Sequence, residues 1–98
     1  MMNEDIIEAI NELKKLIDKF NIYGVQIQVS YLDSLEEQLV EGAELTTKQK
    51  ITVYNQLFPP RGGLSDINYW HDNFEVRKQV NEQLSKLKTK ISDYLFYD

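Results

Sequence analysis

Apolar residues recur along this chain at steps of three and four, and that period constrains the fold more than any other feature. Ile6, Ile7, Ile10, Leu13, Leu16, Ile17 and Phe20 define a first helical stripe. Asn3 stands ahead of it as the expected N-cap. Glu4, Asp5 and Glu8 in the first turns and Lys14, Lys15 and Lys19 toward the end suit the helix dipole, and Asn21 and Gly24 mark the stop.

A second stripe runs through Val25, Val29, Leu32, Leu35 or Glu36, and Leu39, with Gly42 as its end signal. Val25, Ile27 and Val29 also alternate with Gln26 and Gln28 as a strand would. The helical spacing lasts longer, and no other segment offers a strand partner, so helix is expected. Thr46 and Gln49 have the form of a capping box, opening a shorter helix with Ile51, Val53, Tyr54, Leu57 and Phe58. Pro59 and Pro60 end it.

The connection from Pro59 to His71 mixes turn formers with large apolar groups. Gly62 and Gly63 permit unusual backbone angles, and Ser65 or Asp66 is expected to cap a helical turn over Ile67 to Trp70. Asp72 with Glu75 is expected to cap the last helix, whose stripe is Phe74, Arg77, Val80, Asn81, Leu84, Leu87, Ile91, Tyr94 and Leu95. Asn81 on that stripe needs a polar partner and is positioned to pin the preceding loop. Of Tyr69, Trp70, Phe74, Tyr94, Phe96 and Tyr97, most are expected in the core, with one or two exposed beside the loop.

These segments predict an all-α fold: one domain over residues 1–98, a compact bundle of about four helices with a Pro/Gly-rich loop before the last. The first two are expected antiparallel, the third short, and the last long and packed across the others. Ninety-eight residues leave room for one core. With no cysteine, packing alone must hold it. The early acids are the reverse of a signal peptide's basic leader, and no apolar run nears the roughly 20 residues of a membrane span. The expected compartment is the cytoplasm.

Charge placement is the main functional clue. The chain carries 16 acids and 11 bases, and from Phe20 to Thr47 there is no base at all. Asp33, Glu36, Glu37, Glu41 and Glu44 lie in that stretch, so they hold the whole excess of five. Several fall near a helix C-terminus, where each carboxylate costs roughly 0.3–1 kcal/mol against the dipole. They form either a docking surface for a basic protein or a solvated face. The net charge of −5 argues against nucleic acid as a partner.

No motif for catalysis, metal or cofactor is found. His71 is the only histidine; a small hydrolase built from it with Ser65 and Asp66 is a remote alternative, without the strand-turn-helix context such a site needs. More plainly, His71 neighbours the last helix's cap. Arg61-Gly62-Gly63 reads as a tight turn after Pro-Pro rather than a phosphate loop.

Pro59-Pro60-Arg61-Gly62-Gly63-Leu64-Ser65-Asp66, then Tyr69-Trp70 and Asn81-x-x-Leu84-x-x-Leu87, resembles a group of small helical bacterial proteins, some of which resemble immunity proteins for polymorphic or contact-delivered toxins. The likeness covers the second half of the chain. It implies a cytoplasmic protein that binds a toxin domain stoichiometrically, without cofactor or turnover. In that reading Asp33, Glu36, Glu37, Glu41 and Glu44 meet a basic surface near the toxin's active site while exposed aromatics anchor the contact, and Arg61, Tyr69 and Trp70 join the expected partner-binding residues. The alternative is a helical regulator or adaptor, which includes a homodimer.

Overall fold

Helix-stop geometry largely decides where the chain turns. The computed structural model describes residues 2–97, with side chains for 4–96. Helix α1 (Met2–Lys19) ends where Asn21 takes the left-handed conformation at φ 52°. The amides of Asn21 and Ile22 donate back to the carbonyls of Asp18 and Ile17, the paired bonds of a Schellman stop. Asn3 lies inside α1 rather than at its cap, and its side chain is outside the described residues.

Helix α2 (Gln26–Val40) begins without a side-chain cap at Val25, which settles the Val25–Val29 ambiguity as helix. It ends in a second Schellman stop, with Gly42 at φ 84° and the amides of Gly42 and Ala43 bonded to the carbonyls of Leu39 and Gln38. Helix α3 (Thr47–Leu57) opens on the expected capping box. The Thr46 hydroxyl accepts from the Gln49 amide, and the Gln49 side chain accepts from the Thr46 amide.

Helix α4 (Phe74–Tyr97) starts one residue later than expected. Asn73, not Asp72, is its cap: Asn73 Oδ1 accepts from the amides of Glu75 at 2.9 Å and Val76 at 3.2 Å. Asn caps as well as Asp does, so local preference does not choose between the adjacent candidates. His71 supports this cap, as expected, with Nδ1 accepting from the Asn73 amide at 2.9 Å.

The helices pack in a ring, α1 on α2, α2 on α3, α3 on α4 and α4 on α1, leaving α2 and α4 diagonal. The last helix therefore packs across α1 and α3, and not across α2. The centre is fully buried apolar surface: Ile10 and Leu13 from α1, Leu32 and Leu35 from α2, Leu57 from α3, Leu84 and Ile91 from α4. At about 25 cal/mol per Å², removing such side chains from water drives the assembly.

The Pro59–His71 loop corrects the sequence reading. Its helical turn is a single 3-10 turn at Leu64–Asp66, and residues 67–70 are not helical. Both Leu64 and Ile67 are buried, and the turn brings these two residues, three apart, inward together. Asp66 folds back to accept from the Gly62 amide at 2.6 Å, so it secures the turn instead of capping a later one.

Gly63 is fixed by space alone. Its backbone is extended, yet an added Cβ would lie 2.3 Å from Pro59 Cδ and 3.0 Å from the Leu57 carbonyl oxygen. Gly63→Ala should destabilise by about 1–3 kcal/mol through overpacking. Thermal unfolding measures this, and an unchanged melting temperature would contradict the packing described.

Candidate interaction surface

Asn81 is the residue on which one end of the bundle is organised. From the inner stripe of α4 its Oδ1 accepts from the Tyr69 amide at 2.8 Å, and its Nδ2 donates to the Tyr69 carbonyl at 2.9 Å. Nδ2 also donates to the Arg77 carbonyl one turn back at 2.9 Å, which holds the side chain in place. One carboxamide thus satisfies both backbone groups of a loop residue, as a neighbouring strand would. The Tyr69 ring packs on Phe20 at the end of α1, 4.7 Å between centroids.

Beyond the 3-10 turn, Ile67 is extended, and side chains alternate through this stretch. Ile67 and Tyr69 point inward; Asn68 and Trp70 point outward. Trp70 is left 67% exposed, and Phe74 on the first turn of α4 is 59% exposed. Between them lies the Arg77 guanidinium, 4.2 Å from the Trp70 ring centroid and 5.3 Å from that of Phe74. Stacking of this kind orients a ring that would otherwise rotate in water.

Trp70 also borders a cleft of about 440 Å³ shared with Phe20, Tyr23, Gly62 and Tyr69. Tyr23 on its rim is 80% exposed. The expectation that most of the aromatics would be core is corrected: Tyr94 is buried and Tyr69 half-buried, whereas Trp70, Phe74 and Phe96 face outward, Phe96 against Tyr54 at 4.4 Å. The Tyr97 side chain lies outside the described residues. Helical spacing identified the stripe, but the loop's extended geometry, which spacing does not encode, turned Trp70 out.

The five carboxylates do not stand together as a free set. Lys14 reaches across from α1 to Asp33 at 2.6 Å and Glu36 at 2.5 Å. Glu37, Glu41 and Glu44 remain exposed, and among the described residues none of them forms an ion pair. Nor do they adjoin Trp70. Gln28 near the start of α2 donates to the Gln56 carbonyl near the end of α3, so α2 begins at the loop end of the bundle and runs away from it. With a rise of about 1.5 Å per residue, Glu41 is about 24 Å along the axis from Val25. The expected site residues therefore divide: Arg61, Tyr69 and Trp70 at one end, the three unpaired glutamates toward the other.

The residues considered for catalysis are not joined by hydrogen bonds. Asp66 is committed to Gly62, His71 to the Asn73 amide, and Ser65 is exposed. Among the described residues no group of three acids or histidines could hold a metal ion, and no helix is long and apolar enough to cross a membrane. No protein-family model, curated protein or solved structure matches this chain.

Two variants test these contacts. Asn81→Leu leaves the Tyr69 amide and carbonyl without partners, and should cost about 2–3 kcal/mol in chemical denaturation. Faster hydrogen exchange at the Tyr69 amide should accompany it; a fully protected amide would rule out the clamp. For Lys14, burial pulls the pKa down, but hydrogen bonds and charge from Asp33 and Glu36 outweigh it and leave the value above its ordinary 10.5. Its stabilisation is therefore complete below pH 10.5 and is lost as pH rises through the higher folded value. Lys14→Gln should cost about 0.5–1 kcal/mol at neutral pH, since the contact is partly solvated. The gap between wild type and variant should close in strong alkali; a gap independent of pH would refute the ion-pair account.

Proposed function

We propose that this chain acts by binding another protein, and that it is an immunity protein which holds a toxin domain in a stoichiometric, inactive complex. The observation that carries this reading is Trp70, two-thirds exposed yet oriented by Arg77 and set on a backbone clamped by Asn81. Exposed tryptophan leaves a large apolar area in water, and a partner that covers it gains that area without first having to order the loop. Trp, Tyr and Arg are also the residues that dominate binding energy in protein interfaces. Tyr23, Tyr69, Arg61 and Arg77 surround or adjoin the same end of the bundle.

Glu37, Glu41 and Glu44 supply the electrostatic part. Facing water without a basic partner, they steer a cationic protein toward the complex and raise its association rate at low salt. Covering the toxin's substrate site is sufficient for neutralisation, so neither cofactor nor turnover is required. The protein works in this reading in the cytoplasm. A helical regulator or adaptor would use the same aromatic end without a toxin partner.

Trp70 is the only tryptophan in the chain, so its fluorescence reports on the site alone. Titration with a cationic toxin domain that the chain neutralises should shift the emission to the blue as the ring is buried. Trp70→Ala should weaken the complex at least about 30-fold, equivalent to about 2 kcal/mol, with helix content unchanged. Full neutralisation by the folded Trp70→Ala protein would defeat the proposal.

A further inference from the structure

The seam between α1 and α4 carries a second surface, opposite in charge to the molecule as a whole. Lys15 and Lys19 from α1 and Lys86 and Lys90 from α4 rim a groove of about 460 Å³. Leu16 and Leu87 contribute apolar surface to it, and Glu12 is the one acid on its lining. In the ring of helices this seam is distinct from the outer face of α2, so one molecule cannot bring the two together.

We propose that the groove receives the acidic outer face of α2 from a second copy of this chain. Three properties of the two surfaces agree. Lys14 has already taken Asp33 and Glu36, so the acidic segment offers Glu37, Glu41 and Glu44 to the four lysines. The pitch matches as well, for Glu37–Glu41, Lys15–Lys19 and Lys86–Lys90 are each four residues apart, a rise of about 6 Å. Val40, 65% exposed beside Glu41, lies on the same face as Glu37 and offers an apolar contact to the parts of Leu16 and Leu87 that line the groove. Because a groove on one copy meets a different surface on the next, the contact is heterologous and either repeats along a chain of copies or closes reciprocally.

This inference does not rest on the toxin reading, although a basic partner and a second copy would compete for the same three glutamates. Sedimentation of the full chain across a range of concentrations tests it. At about 0.1 M salt, where charges are screened beyond about 10 Å, the mean mass should rise with concentration; at about 1 M, with screening near 3 Å, it should fall back to the monomer. K86E/K90E and E37K/E41K should each remain monomeric. Mixed in equal amounts, they should associate again, because the intact groove of one meets the intact acidic face of the other. All four positions are exposed, and far-UV circular dichroism checks that the variants fold. If a reversal unfolds the chain, K86Q/K90Q and E37Q/E41Q replace it, each expected to abolish association. A monomer at every concentration, association that persists in the folded variants, or a mixture that fails to pair overturns the proposal.

Discussion

The clamp between the Asn81 side chain and the Tyr69 backbone is the constraint on which the loop end of the bundle depends. An irregular segment packed on a core must satisfy its own amides and carbonyls, and this one has no strand beside it. Asn81 supplies both a donor and an acceptor, and its third bond to the Arg77 carbonyl fixes the side chain to its own helix. With Tyr69 held, Leu64 and Ile67 stay in the core, the Tyr69 ring lies on Phe20, and the next side chain must face outward. The exposure of Trp70 is thus a geometric consequence of a polar contact on the inner stripe of α4.

Electrostatics in the bundle follow from its ring order. Lys14 sits on α1 at the level of Asp33 and Glu36 and neutralises the part of the acidic segment that faces its neighbour. Among the described residues the outer glutamates have no such neighbour. Lys88 shows the opposite balance: burial pushes its pKa below the ordinary lysine value, and the charge of Asp66 offsets only part of that. Acidic α2 and the lysine-rimmed seam of α1 and α4 end up on separate surfaces, so a chain with a net charge of −5 still presents a strongly basic strip.

Helix α2 illustrates how tertiary packing overrides weak local signals. It has no side-chain N-cap, no acid in its first turn and no base in its last. Left to local preferences, its Val25–Val29 start suits a strand about as well as a helix. Four residues, Val25, Leu32, Leu35 and Leu39, are buried on one side, and helical spacing is the only arrangement that brings all of them to the same core.

What the sequence determined by itself was whatever rests on local chemistry and periodicity: four helices, the Thr46 capping box, the stops at Asn21 and Gly42, the break at Pro59-Pro60, and the need of Asn81 for a partner in the loop. Capping, helix-stop geometry and amphipathic spacing are short-range and leave their mark within a few residues. The tertiary structure alone decided that Asn73 rather than Asp72 caps α4, that the loop turns at Leu64–Asp66, and that three of the late aromatics face water. It alone also paired Lys14 with acids 19 and 22 residues away and set the remaining glutamates at the far end from Trp70. Those outcomes depend on which helices become neighbours and on which end of each they meet, and no pattern within a single segment carries that information.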